Sequence, residues 1–142
     1  MSTHRFEYPI RLYFADTDLM GIVYHANYFD YFERARTEWF RAAGINPMDL
    51  ARETHTGFVI RHADTDWLMP LTIDHDAVAT VNVLKIGNAS VVCQQTVECD
   101  GKIACTASLT LVCVDTRTNK PKGIPDNLRK LFASVLVSEP KL

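Results

Sequence analysis

The sequence predicts an α+β fold, an antiparallel β-sheet wrapped around one long α-helix. Three features predict it. In residues 27–43, Tyr28, Phe32, Ala35, Trp39 and Ala42 recur at spacings of four and three, forming one apolar stripe. Two turn dipeptides, Gly87-Asn88 and Asp100-Gly101, separate strand-like runs, as hairpins require. The last run alternates, with Ile103, Cys105, Ala107, Leu109, Leu111 and Cys113 on one face and Ala104, Thr106, Ser108 and Thr110 on the other. An antiparallel meander needs one apolar face covered, and 27–43 is the only long amphipathic helix available.

The elements follow in order. Residues 7–14 read as a strand. The helix starts near Asn27, a good N-cap, and ends at Gly44, a good C′ residue. At 1.5 Å per residue it is about 25 Å long. Asp30 with Arg34, and Arg34 with Glu38, are i,i+4 pairs on its outer side. Residues 47–53 form a short second helix with Pro47 near its start. Strands follow at 58–68, 77–86 and 90–99, then the alternating strand, then a helix over 125–137. The Thr/Ser face of the alternating strand is read either as solvated or as packed on a second subunit.

Composition bounds the function. The chain has 142 residues, is 47% hydrophobic and carries a formal net charge of -2 with a pI near 6.2. That fits one domain spanning residues 1–142. No basic excess points to nucleic acid or an anionic membrane. No apolar run reaches the roughly 20 residues of a membrane span, and the start lacks a signal-peptide core, so the expected compartment is the cytoplasm. The four cysteines, Cys93, Cys99, Cys105 and Cys113, form no C-x-x-C pair and read as reduced, structural strand residues.

The chemistry lies in DTDLMGIVYHANYFDYFERARTEWF, residues 16–40. It sets a carboxylate, Asp18, in a turn ahead of the helix, with Gly21 and His25 between them. A helix N-terminus presents unpaired N–H groups and partial positive charge, which stabilise an anion formed there. A thioester carbonyl is a good electrophile, so a placed carboxylate and donors aimed at the developing oxyanion suffice for acyl transfer. Asp18 supplies the first and the N–H groups at about 23–25 the second. Gly21 allows a tight backbone path beside a bound carbonyl. Asp16 reads as the structural member of the pair.

The segment DTDLMGIVYHANYFDYFERARTEW resembles the 4-hydroxybenzoyl-CoA thioesterase family, of hotdog fold. Within it, the segment is closest to the branch of short-chain acyl-CoA thioesterases associated with the Tol-Pal envelope system. The C-terminal TLVCVDTRTNKPKGIPDNLRKLF resembles the same branch. The resemblance implies hydrolysis of a short-chain or aromatic acyl-CoA to free acid and CoA. It makes Asp18 the catalytic carboxylate, as nucleophile giving a mixed anhydride or as general base on water. It makes the His25 N–H the group that polarises the carbonyl, with the imidazole as base or water-positioning group. It implies no metal and no cofactor, coenzyme A being part of the substrate. It implies sites between subunits of a homodimer, commonly paired into a homotetramer.

Tyr24 and Tyr28 are candidates to line the acyl pocket, or equally core residues. Relatives acting on aromatic substrates carry basic residues at the hairpin before the third long strand. Here that stretch is KIGNAS, with only Lys85, so Ser90 and backbone amides are the candidates to hold phosphate. Lys120, Lys122, Arg129 and Lys130 read chiefly as surface charge. Thioesters of an acyl carrier protein are therefore an alternative substrate. A hotdog dehydratase and a non-catalytic acyl-thioester binding protein are the alternative functions. His4, His55, His62 and His75 show no metal-ligand spacing.

Overall fold

The structure, a computed structural model, describes residues 4–137. Five strands, β1 (Phe6–Ile10), β2 (Thr56–Trp67), β3 (Ala77–Ile86), β4 (Ser90–Cys99) and β5 (Lys102–Asp115), form one sheet in the order β1-β3-β4-β5-β2. Every neighbouring pair is antiparallel. The helices are α1 (Asn27–Ala42), α2 (Pro47–Thr54) and α3 (Asp126–Ser134). The meander β3-β4-β5 forms as the turn dipeptides predict. Asp100 and Gly101 both take positive φ, 52° and 74°, the left-handed pair that a two-residue hairpin turn needs.

The 16-residue α1 packs on the sheet through Tyr31, Phe32 and Ala35, all with no exposed surface. Its C-terminal end meets α3 in an aromatic cluster. Phe132 lies 5.4 Å from Trp39, 6.1 Å from Phe40 and 5.9 Å from Phe58, between ring centroids. Such contacts combine large area burial with favourable ring geometry.

Three local expectations change. First, β1 stops at Ile10, and residues 14–16 form a 3-10 turn instead of continuing the strand. Asp16 causes this, because its carboxylate accepts the Tyr13 N–H at 2.8 Å and closes the turn. Second, Asn27 is not the cap of α1. The N-cap is Ala26, which has no side-chain cap bond, and the Asn27 amide donates to the Asp16 carbonyl at 2.7 Å. Third, the outer ion pairs of α1 differ: Glu38 accepts from Arg41 at 2.8 Å, and Arg34 lies over the Tyr31 ring at 5.7 Å.

β2 is an edge strand. It pairs with β5 on one side, and its outer edge has no partner among the described residues. Val59, Ile60 and Trp67 are exposed along it. Long edge strands present unpaired backbone groups that pair readily with another chain. No helix among the described residues is long and apolar enough to cross a membrane.

Candidate active site

The site is built on a small hairpin that leads into α1. Thr17 and Val23 form an antiparallel bridge, the Asp18 N–H donates to the Ile22 carbonyl at 2.9 Å, and the Gly21 N–H donates to the Asp18 carbonyl at 3.0 Å. Gly21 closes this turn at φ 78°, where a side chain is strained. Asp18 thus stands exposed at the tip. One carboxylate oxygen, Oδ1, accepts the Met20 N–H at 2.9 Å. The other has no hydrogen-bond partner among the described residues. The side chain is oriented and still has one oxygen available for chemistry.

The hairpin is anchored from below by Asp16. Its carbonyl accepts both the Tyr24 N–H at 2.9 Å and the Asn27 amide. Its carboxylate lies near the buried Tyr31 hydroxyl, which makes no hydrogen bond of ordinary geometry. Burial first, and then the Asp16 charge, raise the Tyr31 phenol above its usual range. Tyr31 is therefore a neutral residue beneath the turn.

His25 and Ala26 lead into the helix, and their N–H groups have no hydrogen-bond partner among the described residues. Both residues are exposed. The positive end of α1 is thus open, as an oxyanion site requires. The His25 ring leans on Tyr24, with centroids 4.6 Å apart, and meets the Trp67 ring edge-on at 5.9 Å. The Trp67 indole N–H donates to the His25 carbonyl at 3.0 Å. Trp67 is a site residue that sequence reasoning missed. The contact spans 42 residues, and no local pattern announces it.

The other expected residues separate. Tyr24 is 45% exposed beside His25, so it borders the turn. Tyr28 is 3% exposed and packs edge-on against Tyr31, 5.7 Å between centroids. Burial pushes its phenol up to about 12. Of its two readings, the structure places Tyr28 in the core. Ser90 begins β4 opposite Val112 of β5, whereas Trp67 beside His25 is opposite Cys105. Seven residues of strand, about 23 Å, separate those two positions. Ser90 therefore does not meet Asp18 within one chain, and its neighbourhood is the Gly87 turn. Of the basic residues nearby, Lys122 bonds the Thr54 carbonyl and the Thr56 hydroxyl, and Arg129 bonds the Gly87 and Asn88 carbonyls. The four cysteines are buried and free, and burial pushes the Cys93 and Cys105 thiols up to about 12 and raises those of Cys99 and Cys113, which favours the protonated, structural form.

Against α1, α2 and β2 lies a cavity of about 410 Å³. Phe29, Phe40, Leu50, Phe58, Leu111 and Phe132 make its walls apolar, and Arg36 is among its lining residues. One of its lining residues, Phe29, sets its ring 6.4 Å from that of Trp67, the residue that bonds the His25 carbonyl.

Known proteins are similar to this chain over most of its length. The thioesterase-like superfamily matches residues 12–132. The acyl-CoA thioesterase YbgC of Haemophilus influenzae is 30% identical over 132 residues, 93% of this chain and 97% of that one. The acyl-CoA thioester hydrolase YbgC of Escherichia coli O157:H7 is 32% identical over 129 residues, 90% of this chain and 96% of that one. The crystal structure of a 1,4-dihydroxy-2-naphthoyl-CoA thioesterase from Synechocystis superposes with a TM-score of 0.84 at 17% identity, covering 92% of this chain and 96% of that one, which shows a shared fold.

Proposed function

Because this chain belongs to the thioesterase-like superfamily, we propose that it hydrolyses acyl-CoA thioesters to the free acid and CoA. The observation that carries the reading is the juxtaposition of a carboxylate held by one oxygen with an open helix N-terminus. The thioester carbonyl sits between them. The N–H groups of His25 and Ala26 receive the developing oxyanion, and the free oxygen of Asp18 either activates the attacking water or attacks the carbonyl itself, giving a mixed anhydride that water then hydrolyses to the free acid and Asp18. The His25 imidazole, held between Tyr24 and Trp67, orients water at the same carbonyl. CoA leaves as the thiolate, which is a good leaving group, so the reaction needs no metal and no cofactor.

The finer assignment rests on the motif of residues 16–39, whose resemblance supports the Tol-Pal-associated branch of the 4-hydroxybenzoyl-CoA thioesterase family, with α1 as the central helix of a hotdog. The same resemblance supports action on short-chain or aromatic acyl-CoA. The unpaired β2 edge and the exposed Tyr13, Phe14, Leu19 and Met20 beside the turn support a homodimer, or a homotetramer built from it, in which a second copy walls the site.

The test is thiol release from a panel of short, medium and aromatic acyl-CoAs, with wild type and Asp18→Asn side by side. Turnover that the variant loses is expected. A folded Asp18→Asn protein with full turnover refutes the assignment. Turnover only of acyl-carrier-protein thioesters moves the substrate and keeps the mechanism.

A further inference from the structure

The cavity beside α1 contains a cation that none of the chemistry above uses. Arg36 sits one turn after Phe32 and one turn before Phe40, on the flank of α1 that faces β2. Its Nη1 donates to the Gln95 side-chain oxygen at 2.7 Å. Gln95, fully buried, has its orientation fixed, because its amide nitrogen donates to the Phe32 carbonyl at 3.0 Å and the Thr80 carbonyl at 3.2 Å. The oxygen must then face Arg36. Among the described residues no carboxylate lies within 4.0 Å of the guanidinium. Asp30 and Glu33 stand on the exposed rim of the cavity, and neither pairs with it.

The guanidinium therefore offers an unused edge. Nε and Nη2 make no hydrogen bond, and neither is among the fully enclosed unpartnered atoms, so both remain accessible. That edge presents two parallel N–H donors, the fork that matches the two oxygens of a carboxylate. A cation removed from water without a counter-ion is costly, and an anionic ligand group compensates it. Phe29, Phe40, Leu50, Phe58 and Leu111 give the cavity a largely apolar wall, which suits a methylene chain or ring, while Asp30 and Glu33 lie toward solvent.

We propose that this cavity takes the acyl group of the substrate and that Arg36, oriented by Gln95, binds a carboxylate at the distal end of that group, so that preferred substrates include CoA thioesters of dicarboxylic acids. This rests on the thioesterase reading above. From Asn27, where α1 begins, to Arg36 is nine residues, about 14 Å of helical rise. The Arg36 side chain leans back toward the helix N-terminus and shortens the span. A chain of medium length bridges the thioester carbonyl and the guanidinium, and a succinyl chain does not reach.

The experiment compares suberyl-CoA with octanoyl-CoA, equal in length and different only at the far end, on the full-length protein. It adds calorimetric binding of free suberate against octanoate. In wild type the kcat/KM ratio favours suberyl. In Arg36→Met the ratio falls roughly ten- to a hundredfold, the scale of a lost hydrogen bond to a charged group. Suberate binding falls in parallel. Arg36→Lys keeps a charge and loses the fork, so its ratio also falls, and it serves if the methionine variant does not fold. A succinyl to butyryl ratio is insensitive to either change. An octanoyl preference in wild type, or a suberyl to octanoyl ratio unmoved in the folded variants, overturns the proposal while Asp18-dependent turnover still supports the thioesterase. Absence of all thioester turnover refutes the thioesterase, and suberate binding lost in Arg36→Met then still supports the carboxylate site.

Discussion

The two ends of α1 are finished in opposite ways. At the C-terminal end Gly44 turns left-handed at φ 78°. Its N–H returns to the Arg41 carbonyl and the Ile45 N–H to the Phe40 carbonyl, both at 2.9 Å. This paired return satisfies the last carbonyls of a helix. The same end is sealed by Trp39, Phe40, Phe58 and Phe132. At the N-terminal end the cap is an alanine without a side-chain bond, two N–H groups are open, and the neighbouring side chains Leu19, Met20 and Tyr24 are exposed. One end contributes stability, and the other keeps unsatisfied donors in place for a ligand.

The largest test of that contrast is truncation of the closed end. Phe132→Ala should cost about 3–5 kcal/mol of unfolding free energy, the range for removing a buried aromatic ring. Urea denaturation measures it, and a loss below about 1 kcal/mol would mean the cluster is not what closes that end. The matching change at the open end is Asp18→Asn, which keeps an oxygen for the Met20 N–H. Thiol release should fall by roughly 10²–10⁴-fold, the usual contribution of a positioned acid or base, with the melting temperature nearly unchanged. A large drop in melting temperature would instead make Asp18 a structural turn residue.

A smaller effect belongs to the open end alone. Trp67→Phe keeps the ring and removes the N–H to His25, which should cost about 1 kcal/mol. Hydrogen exchange should accelerate at the hydrogen-bonded amides of Tyr24 and Asn27 and not at the Gly44 end. Equal acceleration at both ends would break the contrast. Smallest near neutrality is a pH effect confined to the core. Burial raises the Cys93 and Cys105 thiols and the Tyr28 phenol to about 12, so the folded state holds their protons more tightly than the unfolded chain. Their contribution is complete below the ordinary thiol pKa of about 8.5 and is lost as pH rises through the folded values. Denaturation midpoints measured from pH 7 to 11 should fall, and Cys93→Ala should flatten the decline. A midpoint that rises over that range contradicts the assignment.

The sequence was legible where one residue has one local task. Asp100-Gly101 announces a hairpin because both positions must turn left-handed, and Gly44 ends α1 for the same reason. The Asp18 turn was legible as a local motif, because the Met20 N–H and the left-handed Gly21 that shape it lie within three residues of Asp18. Asn27 misled because the side chain that could cap the helix is instead donated to Asp16. β1 was read too long because the pull of Asp16 on Tyr13 is a turn signal hidden in an apolar run. Trp67 and Arg36 were not legible at all. The meaning of each comes from a partner on another element, His25 for one and Gln95 for the other.

The pairing of β2 has a consequence for the order in which the molecule forms. β3, β4 and β5 close through short turns, so their contacts are local and form early. β2 finds β5 only across a long stretch of chain, with Thr56 opposite Asp115, and closing such a loop is entropically slow. Trp67 reaches His25 at that last step. In a refolding experiment the recovery of thiol release should therefore lag the recovery of the β3-β4-β5 sheet signal.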